Sequence, residues 1–124
     1  MTEDKWHSLE CTVRNDVDGI VADAVASPDS PWFSGHFPGW PILPGIAMLS
    51  MVSEAVQHGE RNRDVKVRVI GVKRVRFRQP IRPDDPISIS LSRTEGDREN
   101  SYNFKIVIRQ DIACTGIVTA ERID

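Results

Sequence analysis

The chain has 124 residues, 40% hydrophobic and 27% charged, with a formal net charge of −2. That length supports one domain with its own core, residues 1–124, although a single sheet on a single helix leaves a face needing cover, so self-association is expected. No apolar run approaches the roughly 20 residues that cross a bilayer, and MTEDKWHSLE lacks the positive end and apolar block of a secretory signal, so a cytoplasmic protein without membrane contact is expected.

Taken in order, residues 6–14 and 19–26 mix β-branched and polar side chains around the turn formers NDVDG, which predicts an antiparallel hairpin. SPDSPWFSGHFPGWP is a proline-punctuated connection whose aromatics, Trp32 and Trp40 among them, must pack somewhere. From Pro44 the chain becomes an apolar segment, GIAMLSMVSEAVQH, and a proline at the start suits helix geometry, so a largely buried helix is predicted over Pro44–His58. Ser50, Ser53, Glu54 and Gln57 form its polar stripe, facing solvent or a site, and Gly59 is expected as the C-cap.

The remainder reads as strands. VKVRVIGVKRVRFRQ, residues 65–79, predicts one long strand with a bend or bulge at Gly71, and Pro80, Pro83 and Pro86 around Asp84-Asp85 predict a turn. ISISLSRT from Ile87, NFKIVIRQ from Asn103 and a last segment, IACTGIVTAERI, complete the series. The order is an α+β domain with an antiparallel sheet wrapped around one central helix.

Charge is uneven: residues 61–82 hold nine bases and one acid, whereas residues 1–60 hold nine acids and two bases. Lys66, Arg68, Arg74, Arg76 and Arg78 alternate with Val67, Val69, Val75 and Phe77, so most of the basic segment is the outer face of a strand, available to an acidic partner. Interleaved stacking aromatics are missing, which argues against nucleic acid. Cys11 and Cys114 have neither metal-knuckle nor redox-pair spacing and read as reduced strand residues. His7 and His58 read as surface residues, and no metal or cofactor site is expected.

The chemistry concentrates in residues 35–57. His36 is a titratable group in a stiff Gly/Pro setting just ahead of a helix N-terminus, whose free N–H groups and dipole favour negative charge. A base beside such a helix end can remove a proton next to a carbonyl while the Gly45 N–H polarises that carbonyl. A structural role for the histidine stands beside this reading.

HFPGWPILPG, residues 36–45, resembles the HFPGxPxxPG motif of the β-hydroxyacyl-ACP dehydratases of the hotdog fold, and the helix and the IGVKRVRFRQPIRPDDPISISL segment resemble that family too. The resemblance implies a hotdog homodimer, or a trimer of such dimers, with sites at the subunit interface and an acyl-phosphopantetheine thioester on acyl carrier protein or coenzyme A as substrate. It makes His36 the base, oriented by the carbonyl of Ile42, with the Gly45 N–H on the thioester oxygen and Phe37 and Met48 lining an acyl tunnel. Bases from Lys73 to Arg82 would suit docking of the carrier.

One position departs from the pattern. Fourteen residues after the histidine the family has a Glu or Asp that protonates the departing hydroxyl, and here that residue is Ser50, while Glu54 stands one turn further on. A serine hydroxyl can bind substrate or water but is too weak an acid to replace a carboxyl group, and losing a general acid costs about 10²–10⁴ in rate. Three readings follow: a fatty-acid-type dehydratase in which His36 works with Glu54 or alone, a hotdog thioesterase in which Ser50 or Glu54 positions water, and an acyl- or carrier-binding protein with little turnover.

Overall fold

A computed structural model describes residues 10–16, 19–25, 45–82 and 84–123. In chain order these form β1 (Glu10–Asp16), β2 (Gly19–Val25), α1 (Gly45–Arg61), β3 (Lys66–Phe77), β4 (Pro86–Glu95), β5 (Glu99–Ile108) and β6 (Asp111–Ile123). The strands make one six-stranded sheet in the order β1-β2-β4-β5-β6-β3, every pairing antiparallel. One face is laid against α1, and the core lies between them: Ile20, Ala22, Val52, Ala55, Val56, Ile89, Ile106 and Ala120 are fully buried. This is the expected hotdog arrangement, a long antiparallel sheet wrapped on a central helix.

The hairpin forms as predicted, but its register runs to Asp16↔Gly19, so Asn15 and Asp16 belong to the strand rather than the turn. Gly19 has a packing reason to be glycine, because a Cβ there would lie 2.0 Å from the Leu91 carbonyl oxygen on β4. β5 likewise begins earlier than its alternation suggested, at Glu99 rather than Asn103. Cys114 is a free, buried thiol on β6, and burial pushes its pKa up to about 11, which suits an inert core residue.

The helix differs from expectation in length and in what it buries. It continues to Arg61, and Gly59 is not its C-cap but a buried position inside its last turn. Its sequence signal is that of a cap, yet glycine serves here to let the helix approach β2: a Cβ would lie 2.6–2.9 Å from three side-chain atoms of Ile20. The chain leaves the helix through Asp64, whose φ of 60° makes the turn. A sheet covers only one side of a helix, so Ala47, Met48, Met51, Val52, Ala55 and Val56 are buried whereas Ile46 is 69% exposed.

The edge strand β3 carries two irregularities. The first falls between Val69 and Gly71, where a bend was predicted; the second, between Lys73 and Arg76, was not, and there Arg74 takes a φ of 57°. Each bulge inserts a residue and flips the alternation. Between the bulges Val72 pairs with buried Val118, and beyond them Phe77 pairs with buried Cys114. The bases Lys66, Arg68, Arg74, Arg76 and Arg78 are exposed, as the alternation suggested, Lys73 is exposed too, and Arg68 pairs with Glu121 on β6.

With Gly59 expected as the C-cap, Glu60 would fall just past the helix, yet it lies inside it and is fully buried. Its carboxylate accepts from the Tyr102 hydroxyl at 2.5 Å, from Arg93 Nε at 2.9 Å and Nη2 at 3.2 Å, from Asn100 Nδ2 at 3.3 Å and from Arg63 Nη1 at 2.9 Å. Arg122 on β6 donates to Asn100 Oδ1 at 2.5 Å and to the carbonyl of Gly96 at 2.8 Å, extending the cluster to the β4–β5 turn. Among the described residues no buried polar side-chain atom lacks a partner.

Burial alone would raise the Glu60 pKa, but the bonds from Tyr102, Arg93 and Arg63 outweigh it and hold the carboxyl below its usual range. A carboxyl depressed on folding stabilises the protein above its unfolded pKa, and that contribution is lost as pH falls through the folded value. Tyr102 moves the other way: burial, then the Glu60 acceptor, pushes its phenol from 10.0 up to about 12. The folded state thus keeps a proton that the unfolded state releases, so stability is intact below pH 10 and drains away as pH approaches 12.

Two expectations follow for stability. Gly59→Ala should lower the unfolding free energy by about 1–2 kcal/mol through overpacking against Ile20, whereas Gly71→Ala, which meets nothing within 4 Å, should not, as read by urea unfolding. The urea midpoint of the wild-type protein should fall between pH 10 and 12 by the equivalent of roughly 2–3 kcal/mol, and Tyr102→Phe should lose most of that dependence while being less stable at pH 8.

Candidate functional site

Gly45 is the first residue of α1, half-buried, at the end where the backbone N–H groups of the first turn have no partner within the helix. No acidic side chain lies in that first turn, so the positive end of the helix dipole is not neutralised from within the helix. The ring of Phe77, on β3, sits directly over this glycine: a Cβ on Gly45 would lie 2.8–3.3 Å from three ring atoms. Phe77 is 53% exposed, so it roofs the helix start and still presents one face outward.

Phe77 is the site residue that sequence reading missed as such. Its place in an alternating strand marked it only as an inward apolar position, and nothing in the spacing tied it to Gly45 across 32 residues of sequence. Ile46, next to Gly45, and Ile70 and Val72, further back along β3, are also exposed, giving the helix start and the edge strand β3 an apolar character.

The other residues singled out from sequence are spread along α1. Met48 is 3% exposed and packs in the core. Ser50 is half-buried and Glu54 exposed, one turn apart on the same flank, and each engages a partner. Glu54 shares a small depression with Val13, Gln57, His58 and Arg61. The helix is unbroken from Gly45 to Arg61, so Ser50 and Glu54 are separated by about 6 Å along its axis. His36, Phe37 and Ile42 lie outside the described residues, as does the connection that carries them.

A larger depression, of about 450 Å³, lies elsewhere, against β1, β2, β4 and the end of β5, with Thr12, Asp23, Val25, Ser88 and Arg109 among its walls. It contains none of the residues picked out above. Among the described residues no group of three His, Cys, Asp or Glu is placed to hold a metal ion, and no helix is long and apolar enough to cross a membrane.

Comparison with known proteins bears on the same stretch. The family model described as ApeI-like, ApeI dehydratase, matches residues 12–117. The chain is 37% identical over 92 residues to a 3-hydroxyacyl-(acyl-carrier-protein) dehydratase FabZ of Chlamydia trachomatis, covering 69% of this chain and 58% of that protein. It is 33% identical over 106 residues to the FabZ of Acidovorax sp. (strain JS42), covering 77% of this chain and 71% of that protein. The chain thus spans little more than half the length of the chlamydial relative.

Among solved structures, the dehydratase heterocomplex ApeI:P from Xenorhabdus doucetiae superposes with a TM-score of 0.76 at 18% identity, over 99% of this chain and 87% of that one. The likeness at that identity is one of fold, and it agrees with the single helix and six-stranded antiparallel sheet described above. The family match over most of the chain, together with a fold of the same kind, establishes that the chain belongs to the ApeI-like dehydratase family.

Proposed function

We propose that this chain dehydrates 3-hydroxyacyl thioesters, carried on acyl carrier protein or coenzyme A, to trans-2-enoyl thioesters. The observation that carries the reading is the position of Gly45: it opens the buried helix directly after HFPGWPILP, under the roof of Phe77, with its N–H at the positive end of a helix whose first turn holds no acidic side chain. His36 is the base that takes the α-proton, oriented by the Ile42 carbonyl, while the Gly45 N–H bonds the thioester oxygen as it gains negative charge. The C–H electron pair forms the new double bond, the β C–O bond breaks, and the hydroxyl leaves as water with a proton from the protonated His36 or from Glu54 acting through its longer side chain and a bridging water.

Ser50 contributes a hydrogen bond to substrate or water, and Phe37, Met48 and Phe77 border the acyl path. The exposed bases of β3, with Arg82 beyond it, suit the phosphates of coenzyme A or an acidic carrier protein. The apolar exposure along β3 and at Ile46 favours a second copy seated there, consistent with a homodimer or a trimer of dimers. A cytoplasmic setting and a place in fatty-acid or related acyl-chain synthesis fit this substrate.

The test is a mass-spectrometric assay with 3-hydroxyacyl and trans-2-enoyl thioesters of several chain lengths on both carriers. Loss or gain of water should be seen and should vanish in His36→Ala; turnover that survives that change refutes the assignment of the base. Glu54→Gln should lower the rate by about 10²-fold or more if Glu54 supplies the acid, and Ser50→Glu should raise it if the acid is missing. Release of free acid would instead identify a thioesterase, and binding without conversion an acyl-binding protein.

A further inference from the structure

The apolar face of α1 holds it against the sheet, but apolar burial is non-directional and resists sliding along the helix axis far less than lifting away. Directional bonds fix such a slide, and those described between α1 and the sheet gather over its last turn. Glu60 bonds to Arg93 on β4 and to Asn100 and Tyr102 on β5, and Asn15 on β1 donates to the Gly59 carbonyl at 3.0 Å. Gly59 itself is wedged against Ile20 on β2.

Such a cluster is a poor choice for stability alone, since a well-packed apolar plug commonly does as well as a buried ion pair. What an apolar plug lacks is a defined direction. The same sheet carries Phe77 over Gly45 at the other end of the helix, through the pairings Ile106↔Cys114 and Cys114↔Phe77. One frame therefore grips the tail of α1 by hydrogen bonds and roofs its head with a ring.

We infer that the Glu60, Tyr102 and Arg93 cluster is a positioning device that sets where the Gly45 N–H stands beneath Phe77, about 22 Å away along the helix. Its catalytic consequence rests on the proposed role of Gly45; its structural part does not. Glu60 and Tyr102 are thus positioning residues, acting through the helix and not on substrate.

The experiment compares Tyr102→Phe and Glu60→Gln with Ile89→Val, a fully buried core change on β4 that leaves the cluster intact, by amide NMR of the full chain. The Gly45 and Ile46 amide peaks should shift, and exchange at Leu49–Val52 should quicken about 10-fold relative to core amides of β5 and β6, in the cluster variants and not in Ile89→Val. Changes confined to residues 56–63 and to the cluster's own strands would overturn the inference, and Tyr102→Phe alone suffices should Glu60→Gln fail to fold. In the thioester assay Tyr102→Phe should lower kcat about 10-fold with KM within about 2-fold, because a misplaced donor weakens the transition state more than ground-state binding. An unchanged kcat would refute the catalytic consequence, and a wild-type protein without dehydration would refute the role of Gly45 while the NMR result still decides the anchor.

Discussion

A carboxylate taken out of water must be met by hydrogen bonds or counter-charges, because an unpaired buried charge costs several kcal/mol. Glu60 is fully buried near the end of α1, and its need for partners dictates what surrounds it: Arg93 from β4, Asn100 and Tyr102 from β5, and Arg63 from the turn that follows the helix. Those partners force β4 and β5 to run long enough to reach the helix tail. They also explain why β5 starts at Glu99, earlier than a simple alternating pattern would place it. The cluster and the apolar face above it divide the labour, the one setting register and the other supplying most of the burial.

The second constraint lies at the opposite edge. Among the described residues β3 pairs only with β6, and a long strand edge invites indiscriminate pairing. Its two bulges and its row of bases interrupt that edge, and the same bulges decide which side chains face the helix. The two insertions cancel by the end of the strand, so Phe77 returns to the inner face and reaches Gly45, while Val72, between them, is turned inward out of phase with Val67 and Val69. A straight strand would have sent Lys73 inward in its place, toward an apolar surface.

Much of this was legible in the sequence because it rests on local rules. The helix announced itself through Pro44 and the apolar run after it, the hairpin through NDVDG, and β4 through the alternation of ISISLS. The family resemblance of HFPGWPILPG pointed to the hotdog fold that the strands form. What escaped was long-range. Gly59 looked like a cap because glycine in a polar context usually is one, and only the distance to Ile20 shows that it is a contact. Nothing marked Glu60 as buried either, since its partners on the sheet lie 33 to 42 residues away. Arg74 gave no warning of its left-handed backbone, because arginine has no special liking for that region and the bulge is imposed by the match of β3 to β6.

These constraints bear on the position that the family resemblance gives to an acid and this chain to Ser50. A bulge in α1 could in principle bring Glu54 round to the place of Ser50, but the helix is continuous, and its tail is pinned by Glu60 while its head lies under Phe77. With both ends held by one sheet, the axial separation of the two side chains is a property of the frame and not of the local sequence. In the proposed reaction Glu54 must then act at a distance, through its side-chain length and a water, or leave both proton transfers to His36. Either way the burden on the Gly45 N–H grows: with a weaker acid at the departing hydroxyl, more negative charge resides on the thioester oxygen at the transition state, and the donor that meets it must be placed more exactingly. A rigidly held helix is the structural counterpart of that chemical demand.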